Sequence, residues 1–291
     1  MGSVDTDQEL EKRLTQAVER MPAFPRSVQK VLELTRDINC MPRDLVMVIE
    51  TDPVMTLKIL RVINSAYYGL RNRITSVGQA VVYLGLNTTK NLALSFAAVG
   101  VLPSLTAKTF DLQGYLLHSL VVAAFARQLA TSKARGQVDP MECYVAGLLH
   151  DFGKAVFANF LPDELEAATQ LVDAEGIPLH EAERRIIGRD HAYVGAMLVE
   201  RWQFSAELVD CIRHHHDDDA PRTPMLDCLQ AANQLARYLH IGNSGNPYRP
   251  AEAPAASHRF GDSLDVTAQG LGDIQPYIDD ALLIADLPKG P

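Results

Sequence analysis

An all-α fold is predicted, and three observations predict it. Apolar residues recur at three- and four-residue spacing along nearly the whole chain. Alternating Val/Ile/Tyr runs closed by Asn-Gly or Asp-Gly turns are absent. Helix-start signatures are present, the clearest being Asp52-Pro53.

At that first signature Asp52 can cap free amides while Pro53 supplies a preset φ at the first helical position. Met55, Ile59 and Ile63 then form one stripe, with Thr56 and Lys58 opposite. Ser76 can cap a helix through Ala80 and Val81 to Tyr83, and Gly85 is placed to end it. Asn87 is expected to cap the next helix, which carries Leu92, Leu94, Phe96 and Ala97 and stops near Gly100 and Pro103, a joint between two helical lobes. The second lobe opens with a helix over 115–130, whose small residues allow close approach of a neighbour. Further helices are predicted over 141–160, 179–187, 191–202, 206–215 and 225–240. Residues 242–261 are dense in Gly, Pro, Ser and Asn and read as an exposed loop, followed by an amphipathic helix over 274–285. The expected organisation is an N-terminal lobe over 1–103, a second lobe over 104–241, and a loop with a C-terminal helix over 242–291.

Composition narrows the function classes. Of 291 residues, 47% are hydrophobic and 22% charged, enough to bury a substantial core. Lys and Arg number 27 against 36 Asp and Glu, a net charge of −9, and no basic cluster with interleaved aromatics is present. Direct nucleic-acid binding is therefore not expected. The most apolar stretches are interrupted by Ser95, Pro103, His118 and Arg127, so no membrane span is expected. Cys40, Cys143, Cys211 and Cys228 are scattered, without a CxxC pair or a secretory leader, which fits a cytoplasmic protein. Neither GxGxxG nor GxxxxGK[ST] occurs.

The strongest chemical signal is Leu148-Leu149-His150-Asp151-Phe152-Gly153-Lys154, inside a helical pattern. Adjacent His and Asp can ligate one divalent ion, and Lys154, one turn on from His150, could reach a phosphate. A charged Asp on an apolar helix is costly unless it is paired or metal-bound. His118, His191 and the run His214, His215, His216 share the same lobe, and ligands from facing helices are how a bundle builds a dinuclear site. Each also has a plain structural reading. His118 can be a core histidine bonded to a carbonyl, His191 a first-turn residue after an Asp190 cap, and the triple histidine a frayed helix end. Asp217, Asp218 and Asp219 read as a solvated loop, Cys143 as a small core residue, and Trp202 as a packing anchor. Arg61, Asn64 and Ser65 read as the cap of a helix end.

The ordered motifs MPAFPRSVQKVLEL, VIETDPVMTLKILRVINSAYYG, ITSVGQAVVYLG, HSLVVAAFARQLA, GLLHDFGK, DHAYVGAMLVERW and IRHHHD resemble the HDOD family, the HD-related output domain. They cover about two thirds of the chain in the family's order. The resemblance implies a two-lobed helical bundle with an HD-domain-like C-terminal lobe and a role in bacterial signal transduction through contact with signalling proteins. No receiver or sensory domain is recognised beside it, so a stand-alone output module is expected. The resemblance also implies a ligand set for one or two divalent ions of Fe, Mn, Ni or Zn type: His118, His150, Asp151, His191, His215 and His216. If the chain were an HD-type phosphohydrolase, Asp151 and Lys154 would serve at the reacting phosphate.

Three departures point away from catalysis. The enzymes' closing carboxylate falls on Asn233, a neutral amide and a weaker cation ligand. A glutamate found one turn before the first histidine in some HD-GYP relatives falls on Gly114, and no Gly-Tyr-Pro follows the late histidines. A non-catalytic module with a retained metal pocket is the expectation, with a metal-dependent phosphohydrolase acting on a nucleotide or other phosphate ester as the alternative. A third possibility is a relic in which the histidines bond one another and Asp151 without an ion.

Overall fold

The computed structural model describes residues 2–36, 40–65, 68–102, 110–243, 260 and 263–285, and among these the regular structure is helical with no strand. In chain order the helices are α1 (Gly2–Arg20), α2 (Arg26–Arg36), α3 (Pro42–Glu50), α4 (Pro53–Ile63), α5 (Val77–Leu84), α6 (Leu86–Val101), α7 (Leu112–Ser132) and α8 (Pro140–Leu149). Then follow α9 (Phe152–Phe160), α10 (Pro162–Glu175), α11 (Leu179–Ile186), α12 (His191–Arg201), α13 (Ala206–Arg213), α14 (Pro224–Tyr238), α15 (Leu264–Gly270) and α16 (Gln275–Ala285). No helix among the described residues is long and apolar enough to cross a membrane. Most of the 242–261 segment lies outside the described residues.

The chain divides into two compact units. One comprises Met1–Pro22 with Leu102–Ile278, the other Ala23–Val101 with Asp279–Pro291. Grouping residues 1–22 with the first unit differs from the sequence division at 103, because α1 packs on α9 and α12. Arg201 at the end of α12 donates to the carbonyls of Val18 and Met21 at 3.0 and 2.8 Å. Trp202 Nε1 donates to Pro22 O at 3.1 Å, anchoring the same end of α1.

The start signals act as the residue types dictate. Asp52 Oδ1 accepts from Met55 N at 3.0 Å with Pro53 in the first turn, and Ser76 Oγ accepts from Gln79 N at 3.2 Å. Such caps each stabilise by about 1 kcal/mol. Asn64 closes α4, its side-chain amide donating to Leu60 O and Ile74 O and its Oδ1 accepting from Ile74 N. Asn87, expected to cap α6, lies inside it instead. The residue that precedes α6 is Gly85, whose carbonyl accepts from both N and Oγ1 of Thr89.

Within the first unit α7 is the central helix, lying against both α8 and α14. Its face of Val121, Val122, Ala123, Phe125, Ala126 and Leu129 is fully buried. Each large apolar side chain so buried contributes about 1.5–3 kcal/mol. A Cβ on Gly147 of α8 would fall 2.6 Å from Ala123 Cα, so the two backbones touch there and only glycine fits. The predicted single helix over 141–160 is two helices, α8 and α9, broken at His150 and Asp151. Asp151 takes φ −96°, ψ 6°, off the helical values, and Lys154 N bonds to Asp151 O to start α9. On a continuous helix neighbouring side chains diverge by about 100°, and the break lets His150 and Asp151 face the same interior.

Candidate metal centre

Five pieces of chain supply the centre. His118 comes from the middle of α7, and His150 with Asp151 from the joint between α8 and α9. His191 is the first residue of α12, His215 and His216 lie in the turn after α13, and Asn233 is on α14. Local chemistry sets each. Asp190 caps α12, its Oδ1 accepting from Tyr193 N at 2.9 Å, which fixes His191 in the first turn. A Cβ on Gly153 would fall 1.9 Å from His191 O, so the start of α9 presses directly on that backbone.

The side chains converge on Asp151. His191 Nε2 lies 3.2 Å and His215 Nε2 3.7 Å from Asp151 Oδ1, while His150 Nε2 lies 3.3 Å and His118 Nε2 3.9 Å from Oδ2. Asp151, His191, His215 and His216 form one group of potential ligands within 4.8 Å of one another, and His118, His150 and Asp151 form a second. Asp151 belongs to both. Asn233 Oδ1 stands 3.1 Å from His118 Nε2, and Lys154 Nζ donates to Asp151 Oδ2 at 2.7 Å. His118, His150, Asp151 and His191 are at most 1% exposed, whereas His216 is half-buried.

Two rings are oriented as ligands would be. His150 Nδ1 is 2.8 Å from Gly147 O and His215 Nδ1 2.7 Å from Ile212 O, so each Nδ1 donates to a helix carbonyl and each Nε2 is turned inward. Both of those Nε2 atoms, and Asp151 Oδ1, are buried without a hydrogen-bond partner. Buried polar atoms left without a partner are costly, and a divalent cation would satisfy all three. The donor set therefore fits a metal ion.

Charge follows the same geometry. Burial pushes His118 down to about 3 and His215 to about 4, partly opposed by Asp151, so both are neutral at pH 7. Burial also works against His191, but Glu183 and Asp151 outweigh it and hold that ring up at about 9. Asp151 is held well below the ordinary carboxylate value: burial opposes ionisation, and His150 and Lys154 overcome it. His216 Nε2 is 2.8 Å from His191 Nε2, a pair that needs a proton or a cation between them.

Two participants escaped the sequence reading. Glu183 of α11 is fully buried and accepts through Oε2 from both His191 N and His191 Nδ1. His180, one turn earlier, stacks on His216 with ring centroids 4.3 Å apart. The signal was present: Glu183 follows Leu179 and Ala182 on the apolar stripe of α11. His214 stays outside the cluster and pairs with Asp217 at 3.4 Å, and Asp217, Asp218 and Asp219 are exposed. At Gly114 a Cβ would fall 2.2 Å from Asp111 Oδ2 and 2.7 Å from Asn243 Cβ, leaving no room for a glutamate without rearrangement.

A family model, the HDOD domain, matches this chain over residues 21–218. The chain belongs to the HDOD family. A solved HDOD domain protein of unknown function from Geobacter sulfurreducens superposes with a TM-score of 0.76 at 24% identity, covering 95% of this chain and 98% of that one, and shows the fold. An uncharacterized protein of Treponema pallidum is 28% identical over 244 residues, 81% of this chain and 47% of the relative. Ribonuclease Y of Nitratidesulfovibrio vulgaris is 28% identical over 138 residues, 47% of this chain and 21% of that protein. The HDOD chain thus spans about half or less of the curated relatives it matches.

Proposed function

We propose that this HDOD protein is a cytoplasmic signal-transduction output module that acts by contact with other signalling proteins and holds one or two divalent ions without turnover. The observation that carries the metal half is the pair of Nε2 atoms of His150 and His215, unpartnered and aimed at Asp151 with their Nδ1 atoms tied to helix carbonyls. His118, His150, Asp151, His191, His215 and His216 would hold the ions, and imidazole with carboxylate suits Fe, Mn, Ni or Zn. Such an ion supplies activation of water and neutralisation of phosphate charge where a substrate can reach it.

Two features favour binding without turnover. The cluster is closed, with four of its six members at most 1% exposed, as in structural rather than catalytic sites. The position that would add a second anionic ligand is Asn233, whose amide instead faces His118. The four cysteines are free thiols, which suits a reducing compartment. Membership of the HDOD family supports contact with a signalling protein.

A second reading, a metal-dependent phosphohydrolase, is favoured by one observation. His216 is half-buried and lines an open cavity, a route by which a phosphate ester could approach. The relative named Ribonuclease Y, an enzyme of phosphodiester chemistry by its name, is compatible with it. Elemental analysis of protein purified without a His-tag decides the metal; near-zero content removes both readings in their metal-containing forms. Phosphatase and phosphodiesterase assays with Mn, Fe or Ni then separate them. Turnover that rises by orders of magnitude in Asn233→Asp supports the lost-carboxylate explanation, and turnover in the unaltered chain establishes the second reading.

A further inference from the structure

The cavity of about 540 Å³ beside the cluster is lined by Arg184, Arg189 and Arg213 together with Tyr193, His214 and His216. Its size falls in the range of roughly 300–1,000 Å³ typical of small-molecule sites. Three acids also line it, and two of them are occupied. Asp190 caps α12 and pairs with Arg184, Asp217 pairs with His214, and Asp218 is exposed. Arg189 pairs with Asp7 and Glu11 on α1.

Arg213 differs from these. Among the described residues it has no carboxylate partner, and its guanidinium lies 5.2 Å from the centre of the Tyr193 ring, with Arg189 at the same distance from that ring. A guanidinium held over an aromatic face keeps its edge donors available for a planar fork of hydrogen bonds. An unpaired, pre-placed guanidinium in a cavity that reaches His216 is what recognition of a phosphate oxygen requires.

We infer that this cavity binds a small phosphate-bearing anion, with Arg213 as the main donor and His216 connecting the ligand to the cluster. The module would then sense a phosphorylated small molecule at the open edge of its closed centre. The inference rests on the metal reading for part of its affinity, since an ion bound beside His216 adds positive charge next to the ligand.

The test is calorimetric titration of inorganic phosphate and of adenosine monophosphate into the full chain, metal-loaded and chelator-treated, with metal content measured on every sample. Saturable binding is expected, weakened about tenfold or more in Arg213→Ala and less in Arg213→Lys, at unchanged metal content. Arg185→Ala, which breaks only the pairs to Glu175 and Glu181, should bind as the unaltered chain does. Tighter binding of the nucleotide than of phosphate assigns the rest of the cavity to a nucleoside; equal binding assigns it to phosphate alone. No saturable binding of either probe, or equal binding by Arg213→Ala, overturns the inference. If no ion loads, the metal reading falls, and the same comparison on metal-free protein still judges the cavity.

Discussion

One oxygen of Glu183 ties down His191 twice: Oε2 accepts from the backbone N–H at 2.9 Å and from Nδ1 at 2.5 Å. The first bond fixes where α12 begins, the second fixes the ring's orientation. Together they direct Nε2 at Asp151 Oδ1, 3.2 Å away. A fully buried carboxylate on α11 thereby acts on the centre through a histidine on α12.

Glu183→Gln keeps an acceptor oxygen for both bonds but removes the charge that makes the imidazole a better donor to a cation. Outer partners of this kind are worth about 10–100-fold in metal affinity. The variant should fold with unchanged far-UV circular dichroism and lose metal to a competing chelator at correspondingly lower concentration. Retention equal to the unaltered chain would mean that Glu183 only shapes α11.

Among the described residues Asp151 is the carboxylate common to both groups of potential ligands, and it also pairs with Lys154 at 2.7 Å with both side chains at most 3% exposed. Asp151→Ala should abolish metal content and remove the carboxylate that faces the buried ammonium, a loss of about 3–5 kcal/mol. Asp151→Ala with Lys154→Met should recover much of that stability in urea melts while the metal stays absent. Unchanged metal stoichiometry in the single variant would show that the ligand set is misassigned.

How much of this was legible in the sequence depends on which physics each residue obeys. The caps at Asp52 and Ser76 and the helical periodicity are local, and they stand in the structure as read. The break at His150 and Asp151 was not legible, because apolar spacing continues on both sides of it, through Leu148 and Leu149 and again through Ala155 and Val156. The pairing of Glu183 with His191 was missed because a short helix rich in charge reads as a solvated face. Yet Glu183 is fully buried while Ile186 on the same helix is 42% exposed. Convergence of six side chains from four separate stretches could be suggested only by the family's motif order; spacing alone left each histidine a plain alternative.

Gly153→Ala tests whether backbone contact holds the centre together. A Cβ there would lie 1.9 Å from His191 O, against a carbonyl that cannot rotate away. The start of α9 must then back off from α12, widening the gap between Asp151 and His191. A destabilisation of about 1–3 kcal/mol is expected from overpacking, with reduced metal content, both read by chemical denaturation and elemental analysis. Gly100, whose Cβ would meet nothing within 4 Å, serves as the control position for Gly→Ala.

The cluster also sets a two-sided pH dependence for chelator-treated protein. His118 at about 3 and His215 at about 4 lie below their ordinary 6.5 because burial disfavours the cation. Below pH 6.5 the unfolded chain therefore takes up more protons than the folded one, and stability falls as pH drops towards 4. His191 is opposite: burial is outweighed by Glu183 and Asp151, so its folded value of about 9 exceeds 6.5. Its contribution is complete below pH 6.5 and is lost as pH rises through 9. The melting temperature should thus peak near pH 6.5. A divalent ion should restore stability mainly on the alkaline limb, where it replaces the proton that His191 Nε2 shares with His216 Nε2. His191→Gln removes that proton site, so the variant's alkaline limb should flatten. A limb as steep as that of the unaltered chain would place the titration elsewhere.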